Sequence, residues 1–139
     1  MKIVIDTNVV ISWVFFGGYP RKILESVYRL QIIACATPEI IKEYNAIVEE
    51  MIQRKQGSLR SDILSGLIAR LEIIAPITEI SVCRDPDDDK FIGCAVDGKA
   101  VFIVSGDKDL LSLESYKDVE IITAADFCNR YLNWFLLIS

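Results

Sequence analysis

Near the start of the chain three β-branched residues, Ile3, Val4 and Ile5, run without interruption into an aspartate, Asp6. β-Branched residues favour the extended chain, and a run with no polar alternation reads as a strand covered on both faces. Such strands belong to parallel sheets flanked by helices, whose ligands bind beyond the carboxyl ends of the strands. Asp6 stands at that end. Alone, it also reads as a cap for the helix that follows.

The same pattern recurs. Ile32-Ile33-Ala34-Cys35 and Val101-Phe102-Ile103-Val104 are continuous apolar runs, Val119-Glu120-Ile121-Ile122 is a fourth strand, and Ile73-Ile74-Ala75-Pro76 reads as a short edge strand. Helical spacing fills the gaps. Helices are expected over residues 7–15, 20–30, 38–53 and 59–71, from Pro86 onward and from 124 to 132. Thr37-Pro38-Glu39 is a cap, a proline in the first turn and an acid at the positive end of the dipole. Lys55-Gln56-Gly57-Ser58 reads as a loop. Strands alternating with helices predict one α/β domain over residues 1–139, with a central parallel sheet and helices on both faces.

Three further acidic features fall near the edge that Asp6 occupies. Glu43 lies between Ile40 and Ile47 on the apolar stripe of its helix, where a lone carboxylate must be buried or line a site. Asp85-Pro86-Asp87-Asp88-Asp89 opens the next helix with more acids than capping needs, and like charges crowded into one turn call for a cation. Within this run Asp88 and Asp89 precede the buried face by one turn, whereas Asp85 and Asp87 point outward. Asp107 follows its strand as Asp6 follows the first. Asp6, Glu43, Asp89 and Asp107 therefore converge. With Mg²⁺ or Mn²⁺ such carboxylates form an oxygen-rich site able to bind a phosphodiester and generate hydroxide.

The chain has no histidine, which removes Ser-His and Cys-His nucleophile systems and most zinc sites. Its net charge of −5 argues against general binding of phosphate backbones unless a local basic patch or bound cations assist. Cys35, Cys83, Cys94 and Cys128 form no CxxC pair and stand in apolar surroundings, as small hydrophobes do in a reducing compartment. No leader precedes the first strand and no apolar run spans a bilayer, so a cytoplasmic protein is expected. The segment Trp134-Phe135-Leu136-Leu137-Ile138 is unusually apolar and must pack on its own domain or on a partner.

Ile5-Asp6-Thr7-Asn8, Pro38-Glu39-Ile40-Ile41-Lys42-Glu43-Tyr44, Asp85 to Phe91 and Ser105-Gly106-Asp107-Lys108-Asp109-Leu110-Leu111 together resemble the PIN-domain family, including VapC-like toxins of toxin–antitoxin systems. The resemblance runs in family order over residues 1 to about 132. It implies a three-layer α/β/α fold and an Mg²⁺- or Mn²⁺-dependent ribonuclease acting on RNA. It carries an acidic quartet onto Asp6, Glu43, Asp89 and Asp107 as catalytic and metal-binding residues. Asp88, next door, is the alternative third member; Asp89 is preferred because it stands two residues before Phe91. Asn8, Ser105 and Asp109 match positions that support the acids. The resemblance also implies a possible antitoxin partner and a homodimer, which would bring Arg21, Lys22, Arg54, Lys55 and Arg60 to the RNA. Two other readings compete. One is a silent PIN module serving as a scaffold for RNA or protein, which has no need of four costly carboxylates. The other is an aspartyl phosphatase or receiver-like domain; the first would carry a second acid where Asn8 stands, and the second an acid after the 32–35 strand.

Overall fold

The structure, a computed structural model, describes residues 1–55 and 61–132. The expected loop at 55–58, from Gln56 on, and the apolar segment 133–139 lie outside the described residues. Six strands form one sheet: β1 (Lys2–Ile5), β2 (Ile33–Ala36), β3 (Glu72–Ile73), β4 (Phe102–Val104), β5 (Ser115–Tyr116) and β6 (Val119–Ile122), in the order β3-β2-β1-β4-β6-β5. All neighbours pair in parallel except β5 with β6. That antiparallel hairpin was not expected from the sequence. Helices α1 (Thr7–Phe15), α2 (Tyr19–Tyr28), α3 (Pro38–Lys55), α4 (Ser61–Arg70), α5 (Asp89–Gly98), α6 (Lys108–Leu113) and α7 (Ala124–Phe127) complete the three-layer α/β/α arrangement. A π-helical turn, Cys128–Leu132, follows α7.

The continuous apolar runs do what their composition requires. Ile3, Val4, Ile5, Ile103 and Val104 are buried in the centre of the sheet. The chain adds β2 and β3 on one side of β1, then returns to lay β4 on the other. The order reverses between β1 and β4, and such a switch point leaves a crevice at the carboxyl ends of the two strands. The Asp6 N–H donates to the Val104 carbonyl at 2.9 Å, which fixes the two ends side by side.

Two helices bring side chains to this crevice. α3 packs against α1 and α5, and its buried Tyr44 hydroxyl donates to the Ile5 carbonyl, the last of β1. That bond seats Glu43 beside Asp6. α5 packs on β1, β2 and β4. The sequence predicted one helix from Pro86. The chain instead makes a 3-10 turn, Pro86–Asp88, capped by the Asp85 carboxylate accepting from the Asp87 N–H at 3.0 Å, and becomes α-helical only at Asp89.

Candidate active site

Asp6 sits at the N-cap position of α1, yet its side chain makes no capping bond. It is buried, and its Oδ2 accepts from the Ser105 hydroxyl at 2.7 Å. Ser105 is itself buried, and its oxygen accepts from the Asp107 N–H at 3.0 Å. One hydroxyl thus ties the acid after β1 to the acid after β4. Burial raises the Asp6 carboxyl above the ordinary carboxylate range; the Ser105 hydrogen bond opposes this and the charge of Asp107 adds to it. Asp107 caps α6, its Oδ1 accepting from the Asp109 N–H at 2.8 Å. The Asp109 carboxylate faces Arg84 at 3.8 Å.

The 3-10 turn decides which acid of the next run joins them. Asp88 is buried, only 7% exposed, and lines the cleft with Asp6, Asp107 and Glu43. Its Oδ2 has no hydrogen-bond partner. Burial, then the charges of Asp107, Asp85 and Asp6, push its carboxyl up to about 7. Asp89, preferred from the sequence, faces elsewhere. Its Oδ1 accepts from the Val82 and Cys83 N–H groups at 3.1 and 2.9 Å. Burial would raise its carboxyl, but the backbone and thiol donors of Cys83 and the Val82 N–H outweigh that and hold it below the usual range. The structure therefore brings together Asp6, Glu43, Asp88 and Asp107, and sets Asp89 to hold the connector that precedes it.

Glu43 reaches the cleft with both oxygens engaged. Oε2 accepts from the Thr7 hydroxyl, and Oε1 pairs with the Lys90 ammonium at 2.7 Å. Lys90 also meets Asp87 at 2.9 Å, and its side chain is only 9% exposed. Burial alone would lower the Lys90 pKa, but Glu43 and Asp87 outweigh it and keep the amine charged. Neither Lys90 nor Thr7 stood out in the sequence. The signal for Lys90 was its place one turn after Asp87, where a basic side chain can meet the acid three residues before it.

Asn8, Thr7, Ile47, Asp87 and Phe91 complete the lining of a cleft of about 150 Å³. That is well below the roughly 300–1,000 Å³ of pockets that enclose small molecules. Among the described residues, no three acidic or cysteine side chains close on one point as they would around a bound ion. The donors nonetheless suit a hard cation. All are oxygens, one of them buried and without a partner, and neither Asp6, Asp88 nor Asp107 has a salt bridge among the described residues. Among the same residues, no helix is long and apolar enough to cross a membrane.

No solved structure matches the chain. The uncharacterized protein MJ1680 of Methanocaldococcus jannaschii is 42% identical over 117 residues, a stretch that covers 81% of this chain and 75% of that protein. The profile described as PIN domain matches residues 2–109, from β1 through the capped start of α6, and so spans every acid of the cleft. On that match, with the switch-point crevice and sheet order it accompanies, the chain belongs to the PIN-domain family.

Proposed function

We propose that this protein is a metal-dependent endoribonuclease that hydrolyses RNA phosphodiester bonds at the Asp6–Asp88–Asp107 cleft. PIN domains are generally nucleases and typically use divalent metal ions. The observation that carries the reading is the buried Asp88 Oδ2, which has no hydrogen-bond partner and lies beside two other carboxylates that form no salt bridge among the described residues. Such a cluster is costly unless positive charge enters it. Asp6, Asp88 and Asp107 would hold Mg²⁺ or Mn²⁺. When bound, the ion supplies a nucleophilic hydroxide and neutralises charge on the phosphate. Ser105 orients Asp6 and anchors the backbone of Asp107. Burial and the neighbouring carboxylates push the Asp88 carboxyl up to about 7, a cost that a cation in the site would relieve. The shallow cleft suits a single phosphodiester of a polymer lying across the sheet edge better than an enclosed metabolite.

The test is incubation of a mixed RNA pool with Mg²⁺, with Mn²⁺ and with EDTA. Cleavage in either metal, lost in EDTA and in the Asp6→Asn protein, is the expected result. A folded protein that leaves the pool intact in both metals overturns the reading. The same proposal extends to a toxin held by an antitoxin, and to a homodimer that adds the basic side chains of Arg21, Lys22 and Arg54 to an otherwise acidic surface. Growth arrest on expression would support the first, and sedimentation at twice the chain mass the second.

A further inference from the structure

The two ends of the cleft are not alike. At one end Asp6, Asp88 and Asp107 have no salt bridge among the described residues, and Asp88 Oδ2 has no hydrogen-bond partner. At the other end both oxygens of Glu43 are engaged, one by Thr7 and one by Lys90. Lys90 is no surface residue that has swung inward. It stands on α5 one residue before the buried Phe91, its side chain is 9% exposed, and two of its three N–H donors go to Glu43 and Asp87. A divalent ion at Glu43 would have to displace this ammonium or share the carboxylate with it at like-charge cost.

We propose that Lys90 takes the place of a second divalent ion, so that the site binds one ion at the Asp6–Asp88–Asp107 end and Glu43 is held by lysine rather than by metal. The inference rests on the metal-site reading above. Lys90 is then a positioning residue: it fixes the Glu43 carboxylate, which in turn receives the Thr7 hydroxyl at the start of α1. It also sets the charge the cleft presents, because it is the base that pairs with Glu43 and Asp87 there.

The experiment counts Mn²⁺ on the full chain by electron paramagnetic resonance and calorimetry, without RNA. The wild-type protein should bind one ion per chain. K90M keeps the length of the side chain and removes its charge; it should bind the first ion about threefold to tenfold tighter, since a like charge nearby is gone, and take up a second, weaker ion at Glu43. The charge-balanced double variant K90M/E43Q should return to one ion and also guards against misfolding of K90M, because it removes the Glu43 charge that Lys90 neutralised and leaves only Asp87, 66% exposed, to be solvated by water. A purely structural lysine would alter stability but not the ion count. Two ions on the wild type, an unchanged count and affinity in K90M, or loss of the ion in a folded K90M/E43Q protein would each overturn the inference. Binding of no ion by the wild type would instead sink the metal-site reading itself.

Discussion

Asp88 and Asp89 are the same residue, adjacent in sequence, and the fold puts them to opposite uses. Asp89 lies on a stripe of α5 with Gly93 and Asp97, spaced one turn apart. Asp97 accepts from the N–H groups of Ile77 and Thr78 at 2.8 and 3.1 Å and from the Thr78 hydroxyl at 2.6 Å. Asp89 does the same for Val82 and Cys83. Between them the Thr78 carbonyl passes 3.5 Å from where a Cβ on Gly93 would stand. This face is a strap for the connector, and each of its carboxylates accepts from two backbone N–H groups of that connector. Asp88, in the turn just before, faces other carboxylates and has an oxygen with no donor at all. The pKa values separate accordingly, up to about 7 for Asp88 and below the usual range for Asp89. Whether an acid holds the fold or is left facing the cleft is decided here by who supplies its hydrogen bonds.

The strongest way to break that contrast is by substitution. Asp88→Asn and Asp6→Asn should each lower RNA cleavage by more than the roughly 10–100-fold that losing an outer supporting partner costs. Asp89→Asn should keep activity within about tenfold of wild type, on the same scale. Initial rates in Mg²⁺ and Mn²⁺ decide, and the reverse ranking would return Asp89 to the site.

Stability should rank the other way. Asp89→Ala removes the acceptor for two backbone N–H groups and should cost about 1–3 kcal/mol in urea unfolding, toward the low end because the group is partly solvated. Asp88→Asn should instead raise the melting temperature of metal-free protein at pH 8, by on the order of 5 °C, the effect of about 1 kcal/mol on a domain this size.

The pH dependence sharpens the comparison further. Asp88 ionises near 3.8 when unfolded and near 7 in the fold. The folded state therefore holds the extra proton between those values, and stability in EDTA should fall as pH rises from about 4 to 7. Asp89 has the opposite sign: its depressed pKa contributes stability above its unfolded value, and that contribution is lost as pH falls below it. Melting curves of Asp88→Asn should lose the decline toward neutral pH, and those of Asp89→Asn should lose part of the decline toward acid. The smallest effect belongs to Asp87→Asn. Its carboxylate is 66% exposed, so its pairing with Lys90 is screened and activity should change by less than about threefold.

Much of this was legible in the chain. Continuous β-branched runs carry their own burial, and the acids that end them fall at the switch point whatever the loops do. Glu43 could be placed because its helix is regular and its stripe is apolar on both sides. The third acid could not, because a 3-10 turn advances 120° per residue against 100° for an α-helix, and a short turn before α5 shifts the phase of every acid in it. Backbone N–H groups from a connector without regular structure then selected Asp89, and such partners leave no mark in periodicity. The hairpin of β5 with β6 is hidden for a related reason: two residues, Ser115 and Tyr116, are too few to show alternation.

The bond between Asp6 and Ser105 joins residues 99 apart in sequence. No fragment that lacks β4 can form the crevice, however well its early helices form. Contacts of such long range are made late, after the entropy of closing the intervening loop has been met. During synthesis at about 5–20 residues per second, the first strand and its aspartate wait several seconds for the strand that completes them. The order of strands in the sheet thus acts as a timer, and the crevice of a growing chain stays incomplete until most of the domain has been made.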